Sequence, residues 1–326
     1  MKKLRMFLSL VALLVAVGPA LAQEKIAVRM AHPPLALHEL PLLVATERGL
    51  FDAEGLKVSH VFMTGGNEAA AALIAGNIDV LNASFTHPVN LRSKNIPVKF
   101  LSAIMSVRDW GVIVYQRHAA LKGLQDLKGM KISVPRRGSD GDGVLRYALK
   151  SAGLDPETDV QLVQIGAFQN HLVALEKGDI DAAMVGEPFL TIGVRDGKGK
   201  ALFDMLKGDG TDIMRQRLFT SMVVTESFLK DKADIAQRMV RATTKATALI
   251  YSDPNAGFEV AQKYFPNINK EVLREICGRL ITARAFVTRI DPKAVDAEND
   301  FLIKEGVIKA PVRYEDVVAT EMSKFW

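Results

Sequence analysis

A nine-residue phrase occurs twice in this chain and constrains its fold more than any other feature. Residues 72–80 (ALIAGNIDV) recur 102 positions later as residues 174–182 (ALEKGDIDA). Each copy indicates the end of an apolar helix, a glycine stop and a short strand. Residues 65–67 and 167–169 share the same offset, and the two helices are predicted to begin there. The repeat predicts two similar α/β units that face each other, with a helix N-terminus from each at a ligand-binding seam.

The N-terminus has the pattern of a secretory signal peptide. A basic segment ending at Arg5 precedes the apolar residues 6–17, and Ala20 and Ala22 supply small residues for cleavage. The apolar run is shorter than the roughly 20 residues needed to cross a bilayer. We expect residues 1–22 to be removed, leaving a periplasmic protein without a lipid anchor because no cysteine lies near the cut. A retained membrane anchor is the alternative.

Composition excludes several classes of protein. The chain has 42 Lys and Arg against 37 Asp and Glu, and three of the basic residues belong to the leader. No stretch combines clustered basic residues with aromatics, so nucleic acid is not an expected partner. The single cysteine, Cys277, cannot form an internal disulfide in the oxidising compartment that export implies. A mature chain of 304 residues lies near the upper limit for one core and favours two lobes in a monomer.

Alternating strand and helix patterns predict parallel sheets. Apolar runs at 110–115 and 221–225 are either ordinary buried strands or the two crossings between lobes. On the second interpretation, lobe one comprises residues 23–111 and 222–326, and lobe two comprises residues 112–221. The predicted first-lobe segments are strands at 26–30, 57–62, 78–81 and 98–104 and a helix at 40–48.

Several phrases resemble those of nitrate/sulfonate/taurine-type solute-binding proteins of ABC importers. Residues 49–58 (GLFDAEGLKV) are similar to the family phrase GLF-x-x-EGL-x-V, and residues 126–135 (DLKGMKISVP) to DLKGKKVAVP. Residues 153–156, both repeated phrases and Glu187-Pro188 fit in the same order. The resemblance implies an α/β, two-lobed periplasmic-binding-protein fold of type II, with two crossovers and a central cleft. It also implies a small-molecule solute and transient docking to an inner-membrane permease. Because the family also includes binders of bicarbonate and thiamine-precursor pyrimidines, the solute is not identified.

The loop at residues 136–143 is a candidate anion site. Backbone N–H groups between a strand and a helix can bind an anion, and Ser139 adds a hydroxyl. Asp140 and Asp142 are either solvated helix caps or direct ligand contacts. The sequence lacks the nucleotide-binding and Ca²⁺-binding loop patterns, so neither a metal nor a cofactor is predicted.

Two further loops follow the repeated strands and are expected at the carboxyl-end crevice. Ser84 and Thr86 are predicted either to contact ligand or to cap a helix. Glu187, in the corresponding second-lobe loop, is either a helix cap or an acceptor for a ligand N–H or O–H group. Other candidates are the helix starts and a histidine in the first loop: Gly66, Asn67, Phe168, Gln169 and His38.

The remaining polar and reactive side chains are expected to have structural roles. His32 and His38 are interpreted as packing residues rather than metal ligands. Arg108-Asp109 is either an anion clamp or an internal ion pair. No catalytic residue is predicted, because one cysteine cannot form the cysteine-rich iron motif of pyrimidine synthases, and Cys277 is far from the repeated loops. The donor-rich cleft suits a small organic anion such as a sulfonate or carboxylate, with a neutral heteroaromatic solute bound by Glu187 and Phe168 as the alternative.

Overall fold

Strands and helices alternate along most of the chain, as the apolar patterning predicts. The computed structural model describes residues 24–33, 35–63 and 65–326, so the predicted signal peptide lies outside the described residues. The strands are β1 (Ile26–His32), β2 (Leu56–Phe62), β3 (Val80–Ser84), β4 (Val98–Met105), β5 (Trp110–Tyr115), β6 (Lys131–Val134), β7 (Gln161–Gln164), β8 (Ala182–Gly186), β9 (Gly199–Asp204) and β10 (Thr220–Thr225). The helices are α1 (Leu40–Glu47), α2 (Leu50–Ala53), α3 (Gly66–Ile74), α4 (Thr86–Ser93), α5 (Asp140–Ser151), α6 (Phe168–Lys177), α7 (Phe189–Val194), α8 (Asp212–Gln216), α9 (Glu226–Ser252), α10 (Pro254–Tyr264), α11 (Lys270–Thr282), α12 (Pro292–Lys304) and α13 (Tyr314–Val317).

Two five-stranded sheets have matching arrangements, except that the antiparallel strand comes last along the chain in the first sheet and first in the second. The first is β2-β1-β3-β10-β4 and the second is β7-β6-β8-β5-β9. In each sheet three neighbouring strands are parallel, and the fourth strand in the order is antiparallel to both of its neighbours. We call each sheet with its packed helices the first and the second lobe. The chain crosses between them at residues 106–109 and 217–219, which confirms the predicted two-lobed α/β fold with two crossovers.

The repeated phrase forms the same structure twice. Helices α3 and α6 begin at residues 66 and 168, and strands β3 and β8 begin at residues 80 and 182, each pair being 102 positions apart. Gly76 and Gly178 lie just after the helices with φ of 74° and 82°, a backbone region that favours glycine. The strand of the first copy was predicted to begin at Ile78, but β3 begins two residues later, at Val80.

The aspartate in each copy of the phrase explains this later start. The Asp79 carboxylate accepts the backbone N–H of Arg29 at 2.9 Å, and Asp181 accepts that of Lys131 at 2.9 Å. Arg29 belongs to β1 and Lys131 to β6, the parallel neighbours of β3 and β8. The Ile-Asp pair therefore anchors the turn between helix and strand, and regular pairing begins one residue after the aspartate.

The first lobe has an apolar layer on each face of its sheet. Helices α1, α9, α10 and α11 supply one layer, and α3, α4 and α12 contribute to the other. The three- and four-residue spacing predicted for the long helix is confirmed, since Met239, Val240 and Ile250 are buried on one side of α9. Within the described residues, no helix is both long enough and apolar enough to cross a membrane.

Two local predictions near residue 35 were incomplete. The first strand continues through Ala31 to His32, so His32 is a buried strand residue rather than a loop residue. A single 3₁₀ turn, Leu37–Glu39, leads directly into α1 and carries His38. The Pro-bearing loop between them is therefore shorter than predicted.

Candidate functional site

Each crossing between the lobes carries a buried arginine. Arg108 and Arg217 are at most 1% exposed. The Arg108 guanidinium lies 3.1 Å (Nη2) and 3.2 Å (Nε) from Oδ2 of Asp140, at the start of the second-lobe helix α5. Arg217 contacts Glu298 of α12 at 2.8 and 3.0 Å, and its Nη2 is 3.7 Å from Oδ1 of Asp140. The two crossings and both lobes therefore meet in one ionic cluster.

Asp140 accepts hydrogen bonds from Arg108 and Ser84 at the seam and forms a longer ion pair with Arg217. Burial alone would raise its pKa, but Arg108 and Arg217 hold the pKa of this carboxyl below its usual range. The Ser84 hydroxyl, at the end of β3 in the first lobe, donates to Oδ2 of Asp140 at 3.1 Å. The lobes thus touch directly at this point, and Asp140 is engaged by protein groups.

Thr86 belongs to the same cluster. Its hydroxyl donates to Oε1 of Glu298 at 2.8 Å, and Arg217 lies 3.4 Å from the same oxygen of Thr86. Neither Ser84 nor Thr86 caps a helix, because both hydroxyls bind carboxylates. The internal ion pair expected for Arg108 is present, although its partner is Asp140 rather than the adjacent Asp109.

Ser139 caps helix α5, whereas the sequence suggested Asp140 and Asp142 as solvated caps; both aspartates are instead largely buried inside the first turn of the helix. Its Oγ accepts the N–H of Asp142 at 3.4 Å and donates to the carbonyl of Arg136 at 2.7 Å. The N–H groups of Arg137 and Gly138 are bound by the side chains of Gln164 and Asp142. Much of the predicted anion-binding capacity of this loop is therefore used within the loop and its neighbours.

The two repeated helix starts differ in their surroundings. A Cβ added at Gly66 would lie 2.4 Å from Nε2 of His87, so the close approach of α3 to this histidine requires glycine. Phe168 is half-buried at the start of α6, with its ring centroid 6.3 Å from that of Phe189. Asn67 and Gln169, the next residues along, are both exposed.

Aromatic side chains form a continuous wall from one lobe to the other. The His38 ring meets Phe219 edge-on with centroids 5.0 Å apart, and Phe219 meets Trp110 edge-on at 5.2 Å. Trp110 and Phe168 are both within 3.2 Å of the position that a Cβ on Gly186 would occupy. We call His38, Phe219, Trp110 and Phe168 the aromatic wall. The interpretation of His38 as a packing residue agrees with this contact, and burial lowers the pKa of its imidazole.

Glu187 lies at the other side of the seam and is only 6% exposed. Its carboxylate accepts the N–H and the hydroxyl of Thr191 at 3.1 and 2.9 Å, within the first turn of α7. Arg279, on the first-lobe helix α11, contacts both Glu187 and Asp204. Burial raises the pKa of Glu187 even though the Arg279 charge opposes that shift. Of the two interpretations of Glu187, helix capping agrees with these contacts. The same carboxylate also joins the lobes through Arg279.

Sequence reasoning missed four important groups: Arg217, Glu298, Arg279 and Trp110. No local motif marks Arg217 or Glu298, because they meet only through the second crossing and the C-terminal helices. Arg279 stands among other charged residues of α11, and only its position over Glu187 gives it a role. Trp110 had a usable signal, since it begins the apolar run assigned to a crossing.

Cys277 is buried in α11, and burial raises the pKa of its thiol to about 11. A thiol with this pKa is almost entirely protonated at neutral pH and is a poor nucleophile. Within the described residues, no group of three or more His, Cys, Asp or Glu side chains could hold a metal ion.

Comparisons with known proteins agree with this architecture. A 4-amino-5-hydroxymethyl-2-methylpyrimidine phosphate synthase of Aspergillus parasiticus is 24% identical over 252 residues, covering 74% of this chain and 71% of the relative. The periplasmic aliphatic sulphonate binding protein of Escherichia coli superimposes with a TM-score of 0.74 at 17% identity, covering 92% of this chain and 99% of that one. The periplasmic nitrate-binding protein of Synechocystis PCC 6803 gives a TM-score of 0.69 at 15% identity, with 92% and 88% covered.

The solved structures establish the fold as that of periplasmic binding proteins, and they confirm the resemblance found in the sequence. The sequence model of the NMT1-like family matches residues 21–263, which include the first crossing, the whole second lobe and the second crossing. The chain therefore belongs to the NMT1-like family.

Proposed function

We propose that this protein is the periplasmic substrate-binding component of an ABC importer. It would capture a small solute between its lobes and deliver it to an inner-membrane permease. The observation that carries this proposal is the pairing of two sheets of matching arrangement through two short crossings. On this proposal the chain is exported, cleaved after Ala22, free of lipid and monomeric.

A binding role is better supported than catalysis. The synthase-named relatives are only 21–24% identical to this chain, and the whole sequence has one cysteine. That cysteine is buried in the apolar core of α11, and burial raises the pKa of its thiol to about 11. Because one fold can host both solute binding and catalysis, the choice between these two functions rests on the residues of the site.

The charges at the seam bear on the class of solute. Helix starts at Gly66 and Phe168 and the exposed Arg136 support the organic anion expected from the sequence. However, Arg108, Arg217 and Arg279 each face a carboxylate, so their charge is already balanced.

The aromatic wall favours the second candidate, a neutral heteroaromatic solute. A planar ring can stack on or meet the edge of such a wall, as aromatic pairs in proteins do. Phe168 is the residue of the wall that the sequence suggested, with Glu187, for binding such a solute.

Native mass spectrometry of the protein as isolated tests the binding role, followed by a thermal-shift screen of alkyl sulfonates, carboxylates and pyrimidines. A solute that binds only the folded protein, present at 100 times its dissociation constant, adds about 2.7 kcal/mol of stability. Bound solute released intact after denaturation supports a binding protein. Chemical conversion of the solute would instead favour the enzyme interpretation.

A further inference from the structure

One face of helix α11, in the first lobe, is turned towards the second lobe. Glu271, Glu275 and Arg279 follow one another at four-residue intervals in this helix, so they lie on the same face. Each of these side chains forms an ion pair with a residue of the second lobe. The helix therefore presents two acidic side chains and then one basic side chain to the other lobe.

The acidic part of this face meets Arg195, which directly follows α7 in the second lobe. Arg195 Nη2 lies 2.9 Å from Oε2 of Glu271, and its Nη1 lies 3.9 Å from Oε2 of Glu275. Both glutamate side chains are more than half exposed. Two like charges four residues apart slightly destabilise a helix by themselves, and here a cation of the other lobe offsets their repulsion.

The basic part of the face meets two buried carboxylates. Arg279 contacts Glu187 and Asp204, which are 6% and 3% exposed, and its Nη1 lies 2.8 Å from Oγ1 of Thr191 in α7. Lys207 of the second lobe also lies 3.9 Å from Asp204, but its side chain is largely exposed. Because a buried carboxylate without a cation is strongly unfavourable, these second-lobe groups are stabilised by the position of the first lobe.

The lobes also touch through α5 and α12, on the other side of the first sheet, since α12 belongs to the apolar layer opposite that of α11. There the rings of Tyr147 and Phe301 have centroids 5.3 Å apart, beside an ion pair between Lys150 and Glu305. Separating that contact exposes aromatic surface to water. Separating α11 from the second lobe transfers mainly charged side chains to water, so this contact depends more on charge.

We propose that Glu271, Glu275 and Arg279 form an electrostatic latch that holds the two lobes in the arrangement described here, which we call closed, and that releases when the lobes move apart. The crossings at residues 106–109 and 217–219 are the segments about which such a hinge motion would occur. The latch biases the motion because its ion pairs form only in the closed arrangement. This inference rests on the proposed function in one respect, since closure of the lobes would enclose the solute.

Distances between spin labels on the two lobes test the proposal in protein that has been freed of co-purified solute by dialysis. Labels attached to Ile74→Cys in α3 and Val173→Cys in α6, in a Cys277→Ala background, replace side chains that are nearly half exposed. Pulsed electron resonance gives the populations with shorter and longer separations. Solution X-ray scattering checks the accompanying change in the radius of gyration.

The two parts of the latch should differ in strength. Arg279→Met should raise the ratio of separated to closed molecules about tenfold or more, because two buried carboxylates lose their guanidinium. Glu271→Gln combined with Glu275→Gln removes the exposed part and should raise the ratio about two- to fivefold. Salt at a concentration of about 1 M should reproduce the second effect in the wild type and add little to the double variant, since ions screen exposed charges.

Glu259→Gln is the matched control. Glu259 is also an exposed glutamate on a first-lobe helix, but its partner is Arg48 of the same lobe, at 2.6 Å. Its substitution should leave the populations of the two arrangements as they are in the wild type.

The outcomes separate this inference from the function on which it rests. Label distances that stay unchanged in both Arg279→Met and the double glutamine variant overturn the latch, as does an equal shift in Glu259→Gln or a wild type without a closed population. If Arg279→Met does not fold, the double glutamine variant and the salt series decide, because they act on exposed charges. If the distances shift as expected but native mass spectrometry finds no solute, the latch stands and the binding role falls. A bound solute with unchanged distances gives the opposite result.

Discussion

The guanidinium of Arg108 and the carboxylate of Asp140 join the first crossing to the second lobe, with Nη2 and Oδ2 3.1 Å apart and the arginine fully buried. The neighbouring pair of Arg217 and Glu298 joins the second crossing to helix α12 of the first lobe. Because both arginines approach Asp140, this carboxylate is the point at which the two crossings are coupled.

Asp140→Asn should destabilise the protein strongly. Removing one charge from a buried pair leaves the other uncompensated, which typically costs about 3–5 kcal/mol. Urea denaturation of the variant measures the loss. Asp316→Asn, which removes a partner of the exposed Arg313, serves as the control and should change the free energy of unfolding far less, because water screens an exposed ion pair. Equal effects of the two substitutions would contradict a special role for Asp140.

The contribution of the buried histidines His32 and His60 to stability should fall between pH 7 and pH 5. Burial lowers the pKa of His32 to about 3 and that of His60 to about 4, whereas an unfolded histidine titrates near 6.5. Between these values each of the two imidazoles binds more protons in the unfolded chain than in the folded one, so acidification lowers their contribution to stability. For His32 alone the loss at pH 5 is about 2 kcal/mol.

Urea denaturation at both pH values checks this, with His32→Asn and His60→Asn as variants. Each variant should lose less stability than wild type on acidification. An unchanged slope in both variants would show that the two imidazoles do not control the acid response.

Gly66→Ala should perturb the start of α3, whereas Gly65→Ala should not. A Cβ at residue 66 would meet His87 at 2.4 Å, but one at residue 65 would have nothing within 4 Å. Overpacking of this kind typically costs about 1–3 kcal/mol. Thermal unfolding of the two variants compares them directly, and the melting temperature of Gly65→Ala should remain close to that of wild type. Identical melting temperatures would mean that His87 moves aside without cost.

Ser139→Ala and Asn67→Ala test the candidate ligand contacts at the two helix starts. Ser139→Ala removes a helix cap and should cost about 1 kcal/mol of stability. If either side chain also donates to a charged ligand, its loss should weaken binding about 10- to 150-fold. Calorimetric titration with the solute found by native mass spectrometry measures this, and Cys277→Ala is the control that should bind normally. Full affinity in both helix-start variants would make these positions purely structural.

The fold was predictable because its signals are local and repeated. Helix stops at Gly76 and Gly178, the apolar face of α9 and the family phrases all lie within short windows. The partners of the predicted site residues were not predictable in this way. Ser84, Thr86 and Asp140 were predicted as candidate site residues, but their carboxylate and guanidinium partners come from segments up to 212 positions away. Only the paired crossings bring Arg108, Arg217 and Glu298 into one cluster.

The arrangement of strands along the chain also determines the order in which the lobes can be completed as the chain is synthesised. All strands of the second sheet lie between residues 110 and 204, whereas the first sheet requires β10, at residues 220–225, between β3 and β4. A chain that emerges N-terminus first can therefore complete the second sheet while β3 and β4 still lack the strand that pairs with both of them. We expect the first lobe to be the part of a nascent chain that depends most on chaperones, because its unpaired strand edges remain open the longest.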